Sequence, residues 1–430
     1  MHDITIVGAS YRTASLDALG RLLLPRNGLA ARLAPLAGKL GVRELVYLGT
    51  CNRLEIIARL SPGDSAEALR LRVFAALAGR EPQGREAARL FRLWTGAAAF
   101  EHVLLVACGL DSAQVGDREI ASQLRDAWLA ARAAGVAGAR VDELVAAAML
   151  AARDVRRLDA RHAAPAGGLA ARAADHVLRH LGDRRDTVAL LGVSPMTRAC
   201  GRVLARGGVS LLVVNRSIDA AARLAAELAA TPASLAGFHA TPRRLAAIVT
   251  AVGTAEHVLD AESLTRLADA SAPQAPPLVV DLGVPANVHP DAAAAAGARY
   301  VGMDRLVREA SAHRSEQVLA RDDVRAVVDR HLDRALRAAA QRLAGPMLGA
   351  LHDTYVAHVE SELAQLLRGT LSGLDDTGQA ALRRWASLLA RRMAHVPVDG
   401  LRRLACEGDL ESVEACVAGM AEALEKRRAV

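Results

Sequence analysis

Gly49-Thr50-Cys51-Asn52-Arg53 is a polar insert between two short apolar runs, Leu45–Leu48 and Leu54–Leu60. A cation two residues from a thiol favours the thiolate, the form of cysteine that attacks electrophilic carbon. Thr50, Asn52 and Arg53 crowd polar groups around the sulfur, so Cys51 cannot sit in an apolar core without partners. A small buried cysteine in a tight turn is the structural alternative. His102 opens a second run, in which Val103, Leu104, Val106 and Ala107 cover one helix face and its flank. A lone histidine beside such a face is ordinarily a satisfied structural residue. The third stretch is Gly192-Val193-Ser194-Pro195-Met196-Thr197, which keeps only the first glycine of the dinucleotide turn G-x-G-x-x-G/A. Alone it is too weak a motif to define a cofactor site. The strand that follows ends in Asn215-Arg216-Ser217, and an arginine there suits a 2′-phosphate, as in NADP.

Positioning these residues requires particular elements. The runs around Cys51 read as buried strands and the insert as their connecting loop. Residues 1–155 read as an α/β domain: a strand at Ile4–Val7, a turn at Gly8–Thr13, an amphipathic helix at Leu29–Leu40, then the two strands. Helices are expected from Ala66 to Val155, broken near Pro82–Gly84 and Gly135–Gly138. A long helix, a break at Ala163–Gly168 and a second helix fill 141–181. Thr187–Leu191, Ala199–Ala205 and Val209–Val214 give strand, helix and strand, with Gly192–Thr197 as the first turn. From 307 onward the pattern is helical. Val324, Val328, Leu332 and Leu336 fall four apart, as do Leu351, Tyr355, Val359 and Leu363, with a break at Gly345-Pro346. Stripes this long call for a second subunit.

At 430 residues the chain is expected to hold two or three domains. The low aromatic content, 3%, fits helix-rich cores of small side chains. A net charge of +7 and a pI near 9.6 give mild support to a polyanionic partner such as RNA. The five cysteines show neither a CxxC pair nor metal-ligand spacing, which argues for reduced thiols in the cytoplasm and for no metal. No apolar run approaches the roughly 18 residues that span a membrane. Met1 leads straight into a strand, leaving no room for a signal peptide.

The word T-C-N-R-x-E at Thr50–Glu55 resembles the catalytic loop of the glutamyl-tRNA reductase family. Ser10-Tyr11-Arg12-Thr13 resembles that family's opening turn. Phe100–Gln123 resembles its H-L-F-x-V-A-S-G-L-D-S-x-x-x-G-E-x-Q-I-x-x-Q, with His102, Gly109, Leu110, Asp111, Ser112, Gly116, Ile120 and Gln123 in place. Further likenesses follow in family order: the basic linker with Arg156, Arg157 and Arg161, then 247–259, 277–290, Tyr300–Leu306 and the stretch holding His395, Pro397, Leu401 and Arg402. His395 on its own reads as structural.

The resemblance implies an α/β catalytic domain at 1–155, a Rossmann-type NADPH domain at 156–306 and an all-helical dimerisation domain at 307–430. It implies reduction of glutamyl-tRNA(Glu) by NADPH to glutamate 1-semialdehyde through a cysteine thioester, the first step of tetrapyrrole formation by the C5 route. Cys51 and His102 would be catalytic. Thr50, Asn52, Arg53, Ser112, Asp117, Glu119 and Gln123 would bind substrate. The cofactor would lie on Gly192, Val193, Ser194, Pro195, Met196, Thr197, Asn215, Arg216 and Ser217. Implied partners are a second copy of the chain and glutamate-1-semialdehyde aminomutase.

Three departures fall at these sites. Asp117 stands for the family's Glu and is shorter by about 1.5 Å, one C–C bond. Glu119 stands for Gln, an acceptor-only group that would repel a carboxylate or pair with Arg118 or Arg53. The glycine-poor turn at 192–197 predicts weak NADPH binding, with Ser194 lending a hydroxyl to phosphate and tighter binding once glycine is restored at 194 and 197. The rival reading is a reductase-like paralogue that binds glutamyl-tRNA or another partner with little or no reduction.

Overall fold

In the computed structural model, which describes residues 3–25, 28–117, 119–161, 168–184, 186–253, 257–271, 276–312, 318, 321–406 and 410–428, the chain forms two units, 2–329 and 330–430. Ile4, Ile6, Val7 and Ala9 are all buried, so β1 (Ile4–Ser10) is covered on both faces and becomes a central strand. It pairs antiparallel with β3 (Arg53–Arg59), from Ile4 opposite Arg59 to Ser10 opposite Arg53. β2 (Glu44–Gly49) lies outside β3, and β4 (Arg92–Thr95) lies on the far side of β1. The helices are α1 (Leu16–Leu22), α2 (Leu29–Leu40), α3 (Ala66–Ala78), α4 (Glu86–Leu90), α5 (Gly96–Ala107), α6 (Glu119–Ala133) and α7 (Ala139–Arg161).

Three elements differ from the sequence reading. β1 runs on through Gly8–Ser10, because the pairing with β3 continues as far as Arg53. α1 forms after the turn, capped by Ser15, whose hydroxyl accepts from the Ala18 amide. β4 interrupts the stretch read as helical, and its residues are half-exposed or exposed, so no buried apolar run announced it. The break expected at 163–168 lies, except for Gly168, outside the described residues.

The second sheet is wholly parallel. Its strands β5 (Val188–Leu191), β6 (Leu211–Asn215), β7 (Thr231–Ser234), β8 (Ala247–Thr250), β9 (Leu278–Asp281) and β10 (Tyr300–Gly302) stand in the order β10-β9-β8-β5-β6-β7. α8 (Leu169–Leu181), α9 (Pro195–Arg206), α10 (Ile218–Leu228), α11 (Leu235–Ala240), α12 (Ala261–Ser271), α13 (Pro290–Ala295) and α14 (Met303–Ser311) accompany it. β5, β8 and β9 are buried along their length, as a sheet covered on both faces requires. The winding reverses between β5 and β8. A doubly wound sheet opens its ligand crevice at that point, beyond the carboxyl ends of the strands. The helix expected from Ala199 begins earlier, at Pro195, because Ser194 caps it.

α15 (Asp322–Arg368) begins in the first unit and ends in the second, which also holds α16 (Asp376–Cys406) and α17 (Leu410–Arg428). Gly345-Pro346 does not break α15. Ala344, Leu348 and Leu351 on both sides of the proline are buried with Val398, Leu401, Ala405 and Val413, and that packing outweighs one missing amide. Leu351 and Leu363 of the expected stripe are buried, Tyr355 and Val359 half-buried. Cys416 is exposed, since α17 turns Val413, Val417 and Met420 inward and leaves position 416 at the edge.

Candidate active site

The loop between β2 and β3 is closed by its own polar groups. Thr50 is buried, its amide donates to the Arg53 carbonyl at 2.8 Å, and its hydroxyl oxygen accepts from the Asn52 and Arg53 amides at 3.2 Å. This turn leaves Cys51 and Asn52 half-buried at the end of the sheet. The Tyr11 amide, just past β1, donates to the Asn52 carbonyl at 3.0 Å and joins the two loops.

Arg53 is only 3% exposed, and its guanidinium is fully engaged in holding the site together. Nη1 donates to Glu55 Oε1 at 2.6 Å, and Nη2 donates to the Asp111 carbonyl at 2.6 Å and to Asp111 Oδ2 at 3.0 Å. The same Glu55 oxygen lies 2.9 Å from His102 Nε2. Against the burial that opposes ionisation, His102 and Arg53 hold the Glu55 carboxyl down at about 2. Glu55 is therefore an acceptor and His102 Nε2 the donor between them, which leaves Nδ1 as the ring nitrogen not bonded to Glu55. Trp94 stacks on the His102 ring with centroids 3.7 Å apart and planes 14° from parallel. Gly8 makes room for this stack, since a Cβ there would lie 3.0 Å from Trp94 and 3.2 Å from Glu55.

Asp111 links the array to solvent by an ion pair with the partly exposed Arg12 at 2.9 Å. Ser112 is buried beside it in the chain. Asp117 Oδ1 accepts from the Glu119 amide at 2.9 Å. Burial pushes the Asp117 carboxyl up, opposed by that amide and by the charge of Arg53, and burial with the Asp117 charge pushes Glu119 up. Gln123 follows Glu119 by one helical turn on α6, on the same face. Pairing of Glu119 with Arg53 does not occur, because Glu55 and Asp111 occupy the guanidinium. Arg118 lies outside the described residues.

The structure thus brings Thr50, Cys51, Asn52, Arg53 and His102 together, with Asp117 close enough to feel the charge of Arg53. Sequence reasoning left Glu55, Trp94, Asp111 and Arg12 off the site. Glu55 did carry a signal, as an acidic residue in an otherwise apolar strand. Trp94 carried none.

The second candidate site lies at the crevice of the parallel sheet. Gly192 follows β5 with φ +95°, and a Cβ there would lie 2.7 Å from the Ala251 carbonyl oxygen beyond β8, so glycine is required. Ser194 caps α9: its hydroxyl accepts from the Thr197 amide at 3.1 Å, while Thr197 Oγ1 accepts from the Ser194 amide at 2.9 Å and donates to the Gly192 carbonyl at 2.8 Å. The Ser194 hydroxyl expected to meet phosphate is engaged in this capping box. Pro195 sits at the first helical position, where its missing N–H costs nothing. Val193 and Met196 are the turn's remaining amide donors, at the positive end of α9. The turn thus offers an anion two amides and a helix end, without the usual glycine cradle. Asn215 ends β6, and Arg216 and Ser217 follow it, with Arg216 exposed.

Residues 7–158 match the family described as Glutamyl-tRNAGlu reductase, N-terminal domain, and residues 173–309 match Shikimate / quinate 5-dehydrogenase. The chain is 32% identical over 412 residues to the glutamyl-tRNA reductase of Kineococcus radiotolerans, covering 94% of this chain and 89% of that one. It is 32% identical over 421 residues to the glutamyl-tRNA reductase of Salinispora tropica, covering 94% and 88%. Among solved structures, the glutamyl-tRNA reductase from Methanopyrus kandleri aligns over 99% of both chains, with 20% identity and a TM-score of 0.48.

Proposed function

The chain belongs to the glutamyl-tRNA reductase family, and from that premise we propose that it reduces glutamyl-tRNA(Glu) to glutamate 1-semialdehyde with NADPH, the entry step of tetrapyrrole synthesis by the C5 route. The observation that carries this reading is the half-buried Cys51 beside the buried Arg53–Glu55–His102 array.

Cys51 Sγ, as thiolate, attacks the carbonyl carbon of the aminoacyl ester. The C–S bond forms, the bond to the terminal ribose oxygen breaks, and His102 Nδ1, having taken the proton of the Cys51 thiol, gives it to that oxygen as it leaves. A reduced nicotinamide, when bound, would supply hydride to the thioester carbon. The C–S bond then breaks, the thiolate returns to Cys51 and the aldehyde departs. Asn52 Oδ1 and Glu55 Oε2 are buried oxygens without a hydrogen-bond partner among the described residues, and the glutamyl ammonium is a donor of the right sign for them. Thr50, Ser112 and Gln123 hold the rest of the glutamyl group or the terminal adenosine, beside Asp117 and Glu119. Arg53 acts by holding Glu55 and Asp111 in place.

A dehydrogenase-type nucleotide domain implies a nicotinamide cofactor. We assign its pyrophosphate to the turn at Gly192–Thr197 and a 2′-phosphate to Arg216, beside Asn215 and Ser217, which selects NADPH. On this reading 1–155 takes the substrate, 156–306 the cofactor, and 307–430 a second copy of the chain. Trp385, Leu388, Leu389, Met393 and Val396 leave an exposed apolar face on α16 that favours the homodimer. Among the described residues no helix is long and apolar enough to cross a membrane. Cytoplasmic residence and hand-over of the reactive aldehyde to glutamate-1-semialdehyde aminomutase complete the proposal. Purified protein given glutamyl-tRNA and NADPH should form the semialdehyde; tRNA binding without product would favour the non-reducing paralogue.

A further inference from the structure

Gly20 is buried in the middle of α1, and its φ lies outside the region that favours glycine. Glycine weakens a helix interior, so its presence there calls for another reason. A Cβ at Gly20 would lie 2.9 Å from the Pro285 backbone nitrogen and 3.2 Å from Pro285 Cα and Cδ. The obstacle is backbone, which cannot rotate away as a side chain can. α1 belongs to the part that carries Cys51 and Pro285 to the part that carries the parallel sheet, so here the two meet at contact distance.

Both partners are tied to the reacting groups. α1 follows directly on Ser10–Ser15, the loop whose Tyr11 amide holds the Asn52 carbonyl and whose Arg12 pairs with Asp111. Pro285 lies in the loop after β9, at the carboxyl end of the sheet where the crevice opens. That loop is braced by the buried Asp281, which accepts from the amides of Gly283, Asn287 and Val288 at 2.7–2.9 Å and from Thr250 Oγ1 at 2.8 Å. Asn287 in turn accepts from the Val252 amide at 2.7 Å and donates to its carbonyl at 2.9 Å. Val252 adjoins Ala251, whose carbonyl excludes any side chain at Gly192. A second tie joins the same two parts, Arg172 Nε on α8 donating to Gln114 Oε1 at 2.8 Å in the loop that carries Ser112.

The geometry points to Gly20 as a positioning residue that sets how closely the cofactor crevice seats over the acylated Cys51. This inference rests on the reductase reading above. A side chain at position 20 wedges the Pro285 loop away and lengthens the path of the hydride, while attack by Cys51 on the ester, which needs nothing from the parallel sheet, proceeds as before.

The test uses the full-length protein with glutamyl-labelled glutamyl-tRNA and follows two steps separately. Labelled thioester, or the free glutamate it hydrolyses to, is measured without NADPH, and semialdehyde is measured in a single turnover with NADPH. Gly20→Ala should keep the first within twofold and the affinity for NADPH within threefold, yet slow the second about tenfold; Gly20→Leu should slow it about a hundredfold. Both variants should release more glutamate and less aldehyde when NADPH is present. The alanine variant favours the helix, so its loss cannot come from unfolding of α1, and it keeps the test decisive if the leucine variant does not fold. Unchanged hydride transfer in Gly20→Ala, or equal loss of both steps, overturns the inference. Wild-type protein that forms no thioester overturns the reductase reading itself and the inference with it.

Discussion

The loop at Cys51 and the turn at Gly192 each close the end of a strand with polar groups, but they use different materials. Around Cys51 the closure is ionic. Arg53 and Glu55 are both nearly inaccessible, and their partners His102 and Asp111, with Arg12 paired in turn to Asp111, come from three other stretches of the chain. At Gly192 it is local, two hydroxyl groups exchanging hydrogen bonds across one turn of helix. Desolvated charges are offset only when every partner is in place, so the first arrangement is brittle. A capping box involves neutral groups, and the loss of one member costs less.

The largest expected effect follows from removing the sulfur. Cys51→Ser should lower semialdehyde formation by about a thousandfold or more while the thermal midpoint and tRNA binding stay near wild type. Near-normal turnover would rule out the thioester. Cys108 and Cys200, by contrast, are buried thiols pushed up to about 12 by desolvation, so replacing either with Ala should cost stability and leave the chemistry intact.

Glu55→Gln tests the brittleness directly. It removes the charge that Arg53 and His102 share and should destabilise the protein by about 3–5 kcal/mol in urea denaturation at neutral pH. The sign of the pH effect follows from the lowered value of Glu55, about 2 against an ordinary 4.5. Its stabilisation is complete above pH 4.5 and is lost as pH falls towards 2. The gap between wild type and Glu55→Gln should therefore shrink between pH 6 and pH 3. A gap that holds steady over this range would mean that the Glu55 charge contributes no stability.

The contrast between the two loops also explains what the sequence disclosed. Leu29–Leu40 appears with the bounds its pattern predicts, and the two strands around Cys51 differ by a residue at most ends, because buried runs and helical stripes are local signals. Trp94 went unnoticed because β4 is exposed and short. Asp111 was visible only as a motif letter, since nothing local shows that it reaches Arg53 across 58 positions. α15 overran Gly345-Pro346 because the residues that hold it together belong to α16 and α17, far along the chain.

The cofactor preference gives a smaller test. Arg216 is exposed beyond β6, so its replacement should not disturb the fold. Arg216→Ala should raise the Michaelis constant for NADPH by about 10- to 100-fold, the loss of a charged hydrogen bond, and leave that for NADH almost unchanged. Equal effects on both cofactors would remove Arg216 from the 2′-phosphate.

The smallest effect reverses an expectation drawn from the motif. By pattern alone, glycine at 194 and 197 should restore a phosphate cradle and tighten NADPH binding. In the structure Thr197 is fully buried, its amide and hydroxyl both bonded to Ser194 and its hydroxyl also to the Gly192 carbonyl. Thr197→Gly removes that hydroxyl and loosens the turn that points α9 at the crevice. It should cost about 1–2 kcal/mol in thermal or urea unfolding and weaken NADPH binding rather than strengthen it. Thr197→Ser keeps the hydroxyl and should preserve both. Tighter NADPH binding in Thr197→Gly by titration calorimetry would show that the capping box hinders the cofactor, and that the missing glycines are the defect the pattern makes them out to be.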